Sequence, residues 1–229
     1  MNTNLLIALK LAFTTVWQHL NNSFIKESWL TILLACIVTL AMFIPDRIEH
    51  LTYHNDLIFK QGEWWRIFTA PFIHFSWDHF SWNMIVMLAS SIVLEHLNRS
   101  AYLVYLPLAI FTTTLYEWYI ASFSTGAGFS NIASGNFSLL LILFTWEGIR
   151  RKDFWVTFIP LIMQFLFIAH ELGFIGSQSG WEFVSGRSIS GAAGKEVKPG
   201  HIVGIITGLF IGLFFGLQSS VKKQSQNRH

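Results

Sequence analysis

The residues of this chain that could do chemistry lie inside apolar sequence, where polar groups are costly and default to a functional reading. Ser130 opens a stripe of small residues, Ser130, Ser134 and Ser138, and His201 heads another, Gly204, Gly208, Gly212 and Gly216. A serine hydroxyl at its free pKa is a poor nucleophile, and a hydrogen-bonded imidazole acting as general base corrects that. The tetrahedral intermediate of such an acyl transfer needs preorganised donors at its oxyanion, each worth about 3 kcal/mol. His79 and Asn83 are donors of that kind; four residues apart, they share one helical face, while Asp78 points elsewhere. Helix-end capping and an interhelical hydrogen bond account for His79 and Asn83 equally well, and close packing accounts for the glycines. Close packing does not account for His201.

The elements that must position these residues are membrane spans. Hydrophobic residues make up 52% of the 229, charged residues 12%, and mean hydropathy is +0.47, a balance that excludes an ordinary soluble domain. Against the roughly 20-residue apolar span a bilayer requires, stretches stand near Trp29 to Pro45, His79 to Leu97, Ala101 to Ile120, Ser130 to Trp146, Phe154 to Leu172 and Ile202 to Leu217. The expected fold is all-α: a polytopic bundle of six transmembrane helices over 29–217, preceded by an interfacial amphipathic segment (1–28) and followed by a basic cytoplasmic tail (218–229). Small residues at every fourth position predict that the fourth and sixth spans pack face to face, bringing a serine to His201. Depth selects which serine. His79 is 16 residues from Glu95, Ser130 is 17 from Glu147 and His201 is 21 from Lys222, so at ~1.5 Å per residue the three lie within about two turns in height. Ser134, 13 residues from Glu147, would sit about 6 Å deeper than Ser130.

Charge and cysteine usage narrow the partners. A net charge of +2 offers no footprint for nucleic acid. Nine basic residues, among them Arg99 and the Arg150-Arg151-Lys152 cluster, fall on segments that are inner if the N-terminus is cytoplasmic, against six in two long outer loops. The expected topology is N-in and C-in, in a bacterial cytoplasmic membrane with the site opening outward. The N-terminus lacks the pattern of a removable signal peptide. Cys36, the single cysteine, permits no intramolecular disulfide and is expected in the core. Trp64-Trp65-Arg66 suits the headgroup zone, and Gly173 to Gly200, rich in Gly and Ser, reads as a flexible cap.

In order along the chain, Glu63-Trp64-Trp65-Arg66, His74, His79-xxx-Asn83, Gly128-Phe129-Ser130 and His201-xx-Gly204-xxx-Gly208 resemble the motifs of the rhomboid intramembrane serine proteases. The resemblance covers most of the chain and implies a Ser130–His201 dyad without an aspartate, with His79 and Asn83 holding the oxyanion. It further implies no metal or organic cofactor, transmembrane proteins in the lipid bilayer as substrates, and a gate formed by the fifth helix and the cap. Two positions depart from the family pattern. Asn131 stands where a glycine usually follows the nucleophile, and Ser134 stands where an aromatic residue often packs on the histidine. Ser134-Gly135 as the nucleophile pair is the alternative register.

Three other readings stay open. A rhomboid-like protein without activity would bind transmembrane helices and not cut them. A rhombosortase-like enzyme would trim sorting tails, although such enzymes usually carry histidine where Ser134 stands. His74, His79, His170 and His201 could instead ligate haem or metal in an electron-transfer protein. Substrate identity and oligomeric state are not legible.

Overall fold

The computed structural model describes residues 27–119, 125–172, 174 and 199–226. The expected amphipathic segment and cap lie almost entirely outside them. Apart from one two-residue strand pairing, the regular structure among the described residues is helical. In chain order it comprises α1 (Trp29–Ala41), α2 (Arg47–Leu51), β1 (Tyr53–His54), α3 (Asn55–Gln61), α4 (Trp65–Thr69), a 3-10 turn (Ala70–Phe72), α5 (Trp77–Tyr119), β2 (Thr125–Gly126), α6 (Ser130–Arg151), α7 (Phe154–Glu171) and α8 (Pro199–Gln226). By length and composition four helices can cross a membrane, α5 to α8, and α1 is a shorter apolar helix.

Continuous helix of 43 residues would run about 65 Å, twice a bilayer core, so α5 has to turn. It does so at Asn98, whose φ of −158° and ψ of 80° are not helical and whose Oδ1 accepts from Ala101 N–H at 3.0 Å, as an N-cap does. The hydrogen bonds to α6 require a reversal there. Ser91 bonds Asn136, and Tyr105 bonds the Ile132 carbonyl only one helical turn away, although Ser91 and Tyr105 would be about 21 Å apart on a straight helix. Residues 77–97 and 99–119 are therefore separate spans, and with α1, α6, α7 and α8 they give the six apolar helices the sequence predicts.

At this turn Glu95 organises the end of the bundle. Its carboxylate is buried and accepts from Leu30 N–H at 3.3 Å and Thr31 N–H at 2.7 Å, at the opening of α1, where Ser28 makes no side-chain cap. A carboxylate at a helix N-terminus satisfies orphan donors and complements the helix dipole. Arg99 completes the cluster, donating to Glu95 at 3.1 Å and lying over the Trp29 ring.

Helix α6 is the most enclosed span and α7 the least. Lipid supplies no hydrophobic drive between helices, so the central helix is the one rich in small and polar residues, and the peripheral one turns Phe158, Ile162, Phe165 and Leu166 outward. The face-to-face packing of α6 on α8 is as expected. A Cβ on Gly135 would collide with the Gly204 carbonyl, one on Gly204 with the Asn131 carbonyl, and one on Gly208 with the Gly135 carbonyl. Around this pair, buried polar groups bind the remaining spans. Asn136 donates to Ser91 at 2.7 Å, beside the Tyr102 hydroxyl and Thr31, and Gln164 of α7 donates to Ser138 at 3.1 Å.

Two expectations need correction. Cys36 is exposed on the outer surface of α1, because the core side of that helix is taken by Thr31 and Val38. Arg66 does not expose its cation to a headgroup zone. It is buried, with Nε on Glu63 at 2.5 Å and Nη1 on the Glu49 and Thr52 carbonyls at 2.8 and 3.0 Å, while Trp64 and Trp65 are exposed. The first loop is thus a folded unit pinned by one guanidinium.

The Gly208 clash is with backbone, which cannot rotate aside, whereas a Cβ on Gly200 meets only the Asn131 side-chain amide at 2.7 Å. Gly208→Ala is expected to destabilise by about 1–3 kcal/mol and Gly200→Ala by less than about 1 kcal/mol. Thermal midpoints in detergent decide it, and equal midpoints would contradict this packing.

Candidate active site

The segment leading into α6 is held at three points. Residues Tyr53 and His54 pair antiparallel with Gly126 and Thr125, Gly128 N–H donates to the Ala70 carbonyl at 3.1 Å, and Phe129 N–H meets His74 Nε2 at 3.5 Å. Phe129 itself is buried against Phe72. These anchors come from the first loop, so the loop that Arg66 pins also sets where α6 begins.

Gly128 takes a φ of +118°, which side chains rarely tolerate, and its α-carbon faces the opening turns of α5. A Cβ there would stand 2.8 Å from His79 Cε1, 3.1 Å from His79 Nε2 and 3.9 Å from Asn83 Nδ2. Glycine is required both for conformation and for space. His79 is oriented by Ser76, which caps α5 by accepting the His79 N–H at 3.2 Å, and by an edge contact with the His74 ring at 4.9 Å. Asn83 Nδ2 is buried and has no hydrogen-bond partner among the described residues. An unpaired buried amide costs about 1–3 kcal/mol, a burden that is relieved when an acceptor arrives.

Ser130 follows as the first residue of α6 and is half-buried. The first intrahelical bond of α6 runs from Ala133 N–H to the Phe129 carbonyl, so the N–H groups of residues 130–132 are left without an intrahelical acceptor. Unpaired N–H groups at the positive end of a helix are a ready anion site. Ser134 lies one turn further on and is buried at 7% exposure, which puts it beneath the surface that Ser130 reaches.

Helix α8 is registered on this turn by Asn131, whose carbonyl abuts Gly204 and whose side-chain amide abuts Gly200. His201, between those glycines, is therefore level with Ser130 and Asn131. The Asn131 amide packs on α8, away from the Gly128 face where His79 and Asn83 stand. Among the described residues no hydrogen bond joins Ser130 to His201; catalytic hydrogen bonds are often long in a site without substrate. The His201 ring is instead held by Glu171, the last residue of α7, with Nδ1 and Oε2 2.8 Å apart. Glu171 also meets His170 Nδ1 at 3.3 Å and is only 8% exposed.

Sequence reading passed over Glu171 because a charge at the end of an apolar run looks like the end of a span. A signal existed: Gln164 and Glu171 are seven apart, on one face of α7, and both are buried. The four histidines weighed as haem or metal ligands separate into two pairs, His74 with His79 and His170 with His201. Among the described residues no three His, Cys, Asp or Glu side chains converge as a metal site.

His74 makes the site sensitive to acid. Burial first, and the neighbouring His79 second, lower its pKa from 6.5 to about 4, with the nearby Phe72 backbone opposing and Arg47 adding a smaller push. Folded His74 thus stays neutral where the unfolded chain takes up a proton. Its contribution is complete above about pH 6.5 and is lost as pH falls toward 4, by up to roughly 3 kcal/mol. Thermal midpoints measured from pH 7 to pH 4.5 should fall, and His74→Phe should flatten the slope; an unchanged slope would contradict the assignment.

Comparison with known proteins agrees with this architecture. The family model described as the Rhomboid domain matches residues 61–218, from the end of the first loop to the last span. No curated protein matches the chain. With more than half its length under one family model, the chain belongs to the rhomboid family, as an integral membrane protein.

Proposed function

We propose that the chain is an intramembrane serine endopeptidase that hydrolyses a peptide bond in or near the transmembrane segment of membrane-protein substrates. The observation that carries this reading is the placement of Gly128, which sets the start of α6 against His79 and the unpartnered Asn83 amide. On the other side, Gly200 and Gly204 bring His201 level with the same turn.

In this reading Ser130 Oγ attacks the scissile carbonyl carbon while its proton passes to His201 Nε2. Negative charge develops on the carbonyl oxygen, where Asn83 Nδ2–H, His79 and the free N–H groups of the first turn of α6 supply donors. Collapse breaks the C–N bond, and the leaving amine takes the proton from His201. A water then repeats the sequence on the acyl-Ser130 ester and frees the enzyme. Asn131 in place of the usual glycine is compatible with this, since its amide packs toward Gly200. The proposed topology is N-in and C-in, with Ser130 near the outer face. Its support is the Arg150-Arg151-Lys152 cluster at the opposite end of α6, about 33 Å from Ser130.

Incubating the detergent-purified protein with a model transmembrane substrate tests the proposal. Ser130→Ala and His201→Ala are expected to abolish cleavage, Asn83→Ala to reduce kcat about 100-fold, and Ser134→Ala to leave most activity. Loss of cleavage in Ser134→Ala alone would move the nucleophile one turn. An inert wild type that still binds the substrate helix would make the chain a binding protein.

A further inference from the structure

We infer that Glu171 is a positioning residue for His201, so that the proposed dyad works as a Ser130–His201–Glu171 triad in which α7 supplies the third member. This rests on the serine-protease reading above and adds to it a residue that the family resemblance does not supply.

The geometry is specific. Glu171 Oε2 lies 2.8 Å from His201 Nδ1, and the two side chains are 8% and 14% exposed. A carboxylate on Nδ1 accepts the Nδ1–H proton and so selects the tautomer whose Nε2 carries a free lone pair. Nε2 is then the nitrogen that takes the Ser130 proton, and the same carboxylate stabilises the imidazolium formed in the attack. Proton count is conserved: one proton moves from Ser130 Oγ to Nε2 and on to the leaving nitrogen, while the Nδ1 proton stays shared with Glu171.

The location of Glu171 argues against a packing role. A carboxylate at a helix C-terminus opposes the negative end of the helix dipole, and burial in a membrane protein adds a desolvation cost. Apolar side chains could close the end of α7 without that cost. Among the described residues a pair of imidazoles faces the carboxylate, His201 on one oxygen and His170 on the other. Packing between α7 and α8 is otherwise sparse, so few other contacts fix the rotation of the His201 ring from that side.

The test is Glu171→Gln in the full chain, compared with wild type and Glu171→Asp on the same model transmembrane substrate. An amide can donate to Nδ1 and stabilise the wrong tautomer. Glu171→Gln should therefore lower kcat by roughly 100-fold or more, with KM within about twofold of wild type. Glu171→Asp should recover a large part of that loss. Nitrogen-15 spectra of His201 supply a readout that a packing role would not move, namely an Nδ1–H tautomer in wild type and its loss in Glu171→Gln. A reactive wild type whose Glu171→Gln variant keeps its kcat and its His201 tautomer overturns the role of Glu171 alone. A wild type inert toward both substrate and a fluorophosphonate overturns the hydrolase reading, and the use of Glu171 with it. If Glu171→Gln does not fold, the wild-type spectrum still decides, because an Nε2–H tautomer at His201 overturns the inference.

Discussion

The contact between α6 and α8 is the constraint on which the rest of the structure depends. Each helix presents glycines where the other presents backbone carbonyls, and a single methyl at Gly135, Gly204 or Gly208 would occupy the same space as its neighbour. In lipid, where burying apolar surface gains nothing, such close approach is how two helices find one register. Register in turn fixes height. His201 follows the glycine that abuts the Asn131 amide, so it is delivered to the first turn of α6 and to no other turn.

The other side of the site is built by different means. The first loop buries a small apolar cluster of its own, Tyr53, Ile58 and Ala70, and it is held as well by directed polar bonds, with Arg66 on Glu63, Glu49 and Thr52 and Thr69 on the Leu51 carbonyl. It then fixes the entry to α6 through Gly126, Gly128 and Phe129. The positive φ of Gly128 and the unpaired Asn83 amide both fall where the proposed chemistry would hold an oxyanion. At the opposite end, the Glu95 cap on α1 and the Asn98 turn hold the first three spans together. These stabilising contacts are thus separated along the bundle axis from the proposed site.

Much of this was legible in the residues. Spans follow from apolar length, and the facing of α6 and α8 follows from small residues at every fourth position. The heights of His79, Ser130 and His201 follow from counting to the nearest charge. What stayed hidden depends on partners distant in sequence. Glu95 reads as punctuation between two spans until α1, 64 residues earlier, is folded onto it. Arg66 reads as an interfacial cation until the Glu49 and Thr52 carbonyls are folded onto it. Glu171 reads as a helix end until the ring of His201, 30 residues later, is folded against its carboxylate. Cys36 was misplaced for a related reason, since a span hydrophobic all round gives no sign of which face meets lipid.

The proposed chemistry depends above all on which serine is activated. Reaction of the purified protein with a fluorophosphonate, followed by peptide mass spectrometry of the adduct, reads that residue without any assumption about substrate. The structure and its proposed chemistry predict a single adduct on Ser130 that is lost in His201→Ala. An adduct on Ser134, or labelling of Ser130 that does not depend on His201, would contradict it.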